Sequence, residues 1–230
     1  MTAVVAPHPH WWLVLVVALA GLGVGWGLSR RLATLEYRLD DEQGPAPTHP
    51  GVVTAAVSLV WALLTWQVGG LERGAVLPAY LLVGALGVAL AWIDVDVHRL
   101  PEGLTLWSLP AILALLTIAS ATSGDWWAPL RAVGAGAAVW LVYVVLALIR
   151  PGGLGLGDAT LGGLVALPLG YVGWVLAAQG LVFSILVSGV GTIVLLVLRR
   201  VTLKGSVAYG PFIVLGLLAA VLVGFQHPGA

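Results

Sequence analysis

The sequence predicts an all-α, polytopic membrane bundle of about eight transmembrane helices, with both termini on the outer side. Three observations point there. The 230 residues are 60% apolar and only 9% charged, far below the charged fraction of a soluble domain. The apolar residues fall in continuous runs without period-two alternation, which favours spanning helices over a barrel. The basic residues are distributed with a strong bias between alternate connections.

The runs lie at about 11 to 29, 52 to 69, 75 to 95, 104 to 121, 130 to 149, 158 to 171, 174 to 198 and 209 to 226. Each of the long ones meets the roughly 20 helical residues needed to cross a hydrocarbon core with every backbone hydrogen bond satisfied internally. The sixth is short, and only Gly170 to Gly173 separates it from the seventh, so a single bent helix is the alternative. Charge placement decides between them. With eight helices, Arg30, Arg31, Arg38, Arg99, Arg150, Arg199, Arg200 and Lys204 fall inside and Arg73 and Arg131 outside; merging the two helices would put the last basic cluster on the wrong side. Trp11, Trp12, Trp126, Trp127 and Trp174 then gather at the outer interface, where indoles are favoured.

The start, MTAVVAPHPHWW, has no basic n-region, so no cleaved signal peptide is expected. The chain has no cysteine, which excludes disulfides and thiolate metal sites, and its zero net charge gives no reason to expect nucleic acid as a partner. Nine arginines against one lysine, with abundant Ala, Gly and Val, point to a GC-rich genome and a bacterial plasma membrane. The one long connection, about residues 30 to 50, carries RRLATLEYRLDDEQ and then GPAPTHP; it is too short to fold alone. One domain over 1–230 is therefore expected. Gly21 and Gly25 are spaced for helix packing.

The acids sort by position. Glu36, Asp40, Asp41 and Glu42 in the inner loop, and Glu72 and Asp125 in outer turns, read as solvated. Asp94 ends the third helix, in VALAWIDVDVHRLPEGLTL, and Asp158 opens the sixth, in GGLGLGDATLGG. Two crossings lie between them, so both sit at the inner face. Taken singly, Asp158 reads as a helix N-cap and Asp94 as a boundary residue facing headgroups and paired with His98 or Arg99. Together they allow another use: two close carboxylates cannot both ionise cheaply, so they share a proton, and one can act as base toward water while the other acts as acid toward a carbonyl. Gly155 and Gly157 would let a peptide backbone or a neighbouring helix come within contact of Asp158. A dinucleotide loop fails on context, because no strand precedes GLGLGD and it does not match G-x-G-x-x-G.

Three blocks resemble the type IV prepilin peptidases, membrane aspartic proteases of the GxGD type: IDVDVHRLPEGLTL (Ile93 to Leu106), GLGD (Gly155 to Asp158) and YGPFIVLG (Tyr209 to Gly216). Their order and spacing match as well. The resemblance implies cleavage of the basic leader of a prepilin or pseudopilin at the cytoplasmic side, with Asp94 and Asp158 as the catalytic pair. It also implies that Gly155 and Gly157 shape the site, that Gly210, Pro211 and Phe212 are structural or substrate-lining, and that Pro101 and Glu102 belong to the first block. Asp96, two residues from Asp94, points elsewhere on the helix and is secondary. The chain departs from the family pattern at Glu102, where aspartate is usual, at Thr160, where lysine is frequent, and at Ala208, where proline is common. It also lacks the cysteine-rich zinc domain of larger members, so the expectation is a peptidase without metal or cofactor, and methyl transfer is not part of it. The competing classes are a proton-coupled transporter, which would carry its acids near the midplane, and a non-catalytic assembly subunit.

Overall fold

The computed structural model describes residues 9–39, 42, 49, 51–70, 74–149, 154–199 and 208–224, and the side chain of Glu102 is outside that description. Among these residues there are eight α-helices: α1 (Trp11–Leu32), α2 (Gly51–Val68), α3 (Leu77–Val97), α4 (Glu102–Ser123), α5 (Trp127–Ile149), α6 (Leu156–Val172), α7 (Trp174–Val197) and α8 (Gly210–Gly224). A turn of 3-10 helix, Gly74–Val76, leads into α3. Six helices, all but α6 and α8, are long and apolar enough to cross a membrane.

The boundaries follow from local chemistry. His98, at φ 51°, ends α3 in the left-handed region, and Pro101, which cannot continue a helix from the preceding turn, stands at the N-cap of α4. Gly124, at φ 76°, ends α4, as glycine at this position usually does. Asp125 Oδ1 then accepts the amides of Trp127 and Ala128, both at 3.2 Å, and caps α5; the outer turn uses this acid as a cap. The sixth and seventh runs are two helices, broken at an extended Gly173.

Helix α6 sits at the centre. Thirteen of its seventeen residues, from Asp158 to Tyr171, are buried, against α3, α4, α5, α7 and α8. Small residues permit this. A Cβ on Gly136 would come to 3.1 Å from the Gly163 carbonyl and one on Gly163 to 3.2 Å from the Gly136 carbonyl, so α5 and α6 meet backbone to backbone. The same device joins α1 to α2, where a Cβ on Gly25 would lie 2.8 Å from the Thr54 Cα. The packing role expected for Gly21 and Gly25 is what the structure contains.

Polar contacts differentiate the two ends of the bundle. At one end Arg131 Nε donates to the Gly170 carbonyl at 3.0 Å, and the Tyr171 and Ser120 hydroxyls lie 3.1 Å apart. Trp11, Trp12, Trp126, Trp127 and Trp174 are all exposed at this end. With eight alternating helices, α1 starts and α8 finishes here. The opposite end holds the α1–α2, α3–α4 and α5–α6 connections and the start of α8, with Trp26 and Trp107 exposed near it. Glu72, Arg73, Arg150, Arg200 and Lys204 lie outside the described residues.

Candidate active site

Asp94 lies in the last turn of α3 and is 5% exposed. Its backbone carbonyl accepts the His98 amide at 2.9 Å. Its carboxylate Oδ2 accepts the Gly210 amide at 2.7 Å, a buried bond to the first turn of α8. That amide is one of the four left without an intrahelical partner at any helix start, so α8 offers Asp94 a fixed donor. Glycine is what fits there. A Cβ at 210 would stand 3.0 Å from Asp94 Oδ2 and 3.3 Å from the Ala91 Cα.

Asp158 lies in the first turn of α6 and is 7% exposed. Its Oδ2 accepts the amide of Gly155, the N-cap residue, at 2.9 Å, which is the reach-back half of a capping box. Its Oδ1 is buried with no hydrogen-bond partner among the described residues. A buried carboxylate oxygen without a donor is costly, and groups left this way often belong to sites. Asp158 is therefore not the N-cap expected of it, since Gly155 holds that position; it stands three residues further in and reaches back with only one of its two oxygens.

The two aspartates share the end of the bundle that carries the basic connections, on helices α3 and α6 that pack against each other and both against α8. Each is tethered at one oxygen by a backbone amide from a glycine in the first turn or cap of a helix, where the helix dipole also favours negative charge. Such a pair can hold a single proton between two rigid carriers. No group of three His, Asp or Glu residues arranged to hold a metal occurs among the described residues.

The other expected site residues divide. Gly155 donates to Asp158, and Gly210 donates to Asp94. Gly157 does not open onto free space: a Cβ there would come to 2.9 Å from the Leu100 Cβ, so this glycine seats the α3–α4 turn on α6. Pro101 caps α4 two residues after Arg99, and Glu102 opens that helix. Pro211 occupies the first turn of α8. The ring of Phe212 lies against Gly191 of α7, a packing contact on a neighbouring helix.

Several residues that no sequence pattern groups form a second cluster beside the first. Asp96 turns away from Asp94, and it accepts hydrogen bonds from the Tyr37 hydroxyl at 2.6 Å and from Arg38 Nε and Nη2 at 2.8 and 2.7 Å. The Tyr37 phenol, pushed up to about 12 by burial and then by the Asp96 carboxylate, stays a donor at neutral pH. Arg99 does not seek Asp94; it donates to Glu42 Oε1 and Oε2 at 2.9 and 3.1 Å and to the Tyr37 carbonyl at 2.9 Å. Glu42, read from sequence as solvated, is thus engaged, while exposed Glu36 fits that reading. Asp40 and Asp41 lie outside the described residues. These partners are 57 to 62 residues apart in the chain, and no local pattern announces them.

Tyr143 of α5 is the other addition. One edge of its ring lies against Gly162, where a Cβ would meet it at 2.6 Å, and its hydroxyl is buried without a hydrogen-bond partner among the described residues. The nearby Ser184 hydroxyl donates instead to the Gly180 carbonyl at 2.7 Å. Tyr143 is within electrostatic reach of Asp158. Compared with known proteins, the chain matches no family model, no curated protein and no solved structure.

Proposed function

We propose that the protein is a membrane aspartic endopeptidase of the prepilin peptidase type, with Asp94 and Asp158 as its catalytic pair. The observation that carries this reading is the pairing itself. Two buried carboxylates, 64 residues apart in sequence, lie at one end of an apolar bundle on two helices that pack against each other. A charge near hydrocarbon costs roughly 2.5 to 3.5 kcal/mol at a helix centre and less toward its ends, so two of them at one end of the bundle call for a chemical use.

In that use one carboxylate takes a proton from water as the water oxygen attacks the scissile carbonyl carbon, and the other donates its proton to the carbonyl oxygen. The tetrahedral diol then collapses as one of its hydroxyls returns a proton to the second carboxylate, the C–N bond breaks, and the amine departs with the proton held by the first carboxylate. The substrate class, a basic leader preceding a hydrophobic helix in a prepilin or pseudopilin, comes from the three resembling blocks. Sidedness in a bacterial cytoplasmic membrane comes from the positive-inside rule. The acids stand at helix ends and not mid-helix, which favours hydrolysis at a membrane face over a proton-relay transporter.

The test is co-expression of D94N or D158N with a candidate prepilin, followed by mass spectrometry of the pilin N-terminus. Each variant is expected to insert normally and to leave the leader uncleaved. Normal processing by either one overturns the pairing.

A further inference from the structure

The α3–α4 turn is the bridge between the two aspartates. Asp94 is four residues before His98, and Leu100, two residues after it, sits on Gly157 beside Asp158. The bridge contains a strained element, since His98 holds a left-handed backbone at φ 51° that a side chain larger than glycine adopts reluctantly. Such conformations persist only where the surroundings over-determine them.

Here the surroundings are two ion pairs, one on each side of His98. Asp96 is bound by the Arg38 fork, and Arg99 by Glu42. The Asp96–Arg38 pair is largely enclosed, with side-chain exposures of 7% and 11%, and the Tyr37 hydroxyl completes it. The partners hang from the end of α1 through successive tight turns, Leu35 amide to Leu32 carbonyl at 3.3 Å and Arg38 amide to Leu35 carbonyl at 2.9 Å. Helix α1 is itself seated on α2 through Gly21 and Gly25.

We propose that Tyr37, Arg38 and Glu42 form a strap that fixes the α3–α4 turn and thereby sets Asp94 relative to Asp158, with Asp96 and Arg38 as its principal positioning residues. This rests on the aspartic-pair reading. Asp96 touches neither the other carboxylate nor any reacting atom; it acts through the backbone two residues away. A bidentate arginine fork restrains both distance and plane, which a solvated loop charge could not do.

Two measurements test the strap, and one is independent of activity. Because the chain has no cysteine, spin labels can be placed at H98C and L156C without removing native thiols, and their distance distribution read by electron paramagnetic resonance. The parent is expected to give one narrow distance; D96N and R38K should broaden it, and D96E, which keeps the charge, should retain it. In cleavage assays D96N is expected to lower kcat by about ten- to a hundredfold, the scale of an ångström-sized misplacement, with KM within about twofold and D96E largely restoring kcat. A narrow distance in both D96N and R38K overturns the proposal. So does a loss of kcat in D96N with the distance unchanged, which would make Asp96 a direct participant. If D94N still cleaves while D96N broadens the distance, the strap stands and the aspartic-pair reading fails.

Discussion

The Gly210 amide and the Asp94 carboxylate meet at 2.7 Å across 116 residues of chain. A fixed donor on the first turn of α8 therefore aims a carboxylate on the last turn of α3. G210A keeps the amide but places a Cβ 3.0 Å from the accepting oxygen and 3.2 Å from the Asp94 Cβ, so the carboxylate must shift. Cleavage is expected to fall by about tenfold or more while the protein stays folded, as checked by turnover alongside thermal unfolding in detergent.

The two glycines of GLGD should respond differently to alanine. At Gly155 a Cβ would sit 3.4 Å from Asp158 Oδ2, an ordinary contact, whereas at Gly157 it would crowd Leu100 at 2.9 Å. G155A is expected to retain most stability, and G157A to lose about 1 to 3 kcal/mol by overpacking. Adding L100A to G157A should recover part of that loss, a non-additivity that a double-mutant cycle of unfolding free energies would read. Additive losses would mean that the turn does not bear on Gly157.

Tyr143 carries a buried hydroxyl without a hydrogen-bond partner among the described residues, and such a group costs about 1 to 3 kcal/mol. Y143F removes the oxygen and leaves the ring on Gly162, so unfolding free energy should hold or rise. A clear loss of stability would show that the hydroxyl is bonded in the folded protein. Cleavage by the same variant reports whether a hydroxyl beside Asp158 serves substrate.

Acid should loosen the strap at its two carboxylates, Asp96, bound by the Arg38 fork, and Glu42, whose share can be isolated. Arg99 hydrogen bonding, then the Leu39 amide, holds the Glu42 carboxyl below its usual range. A depressed carboxyl contributes above the ordinary carboxylate range, and the contribution fades as pH falls through its lowered value. Arg99 and Arg38 face this carboxylate and remain charged throughout that window. A spin label at L39C is expected to gain mobility on acidification, and E42Q should remove that acid-dependent component while leaving the Asp96–Arg38 pair in place.

The helices were legible because hydropathy is a local property: each run from Trp11 onward states its own solvent preference, and the charge bias at Arg199, Arg200 and Lys204 was enough to separate α6 from α7. Asp94 and Asp158 were legible for the same reason, as acids placed where acids are costly. The strap was not. Arg38 and Asp96 are each unremarkable in their own windows, and their pairing depends on how the α1 exit folds over the α3–α4 turn. At Gly157 the sequence leaves room for either a substrate backbone or a neighbouring segment, because a glycine seated against Leu100 and a glycine left open look alike in sequence. Glu42 belonged to a run of acids that sequence alone marks as solvated.

Helices α6 and α8, at 17 and 15 residues, span only about 26 and 22 Å at 1.5 Å per residue, less than a hydrocarbon core of about 30 Å. Both are largely enclosed by their neighbours, while α1, α5 and α7, of 22 to 24 residues, present most of their surface outward. Hydrophobic mismatch is thus borne by the rim, where tilt can absorb it, and the short central pair is exempt from matching lipid length. The depth of Asp158 and of the Gly210 amide is accordingly set by protein neighbours, so a change of acyl chain should tilt the outer helices before it disturbs the carboxylates.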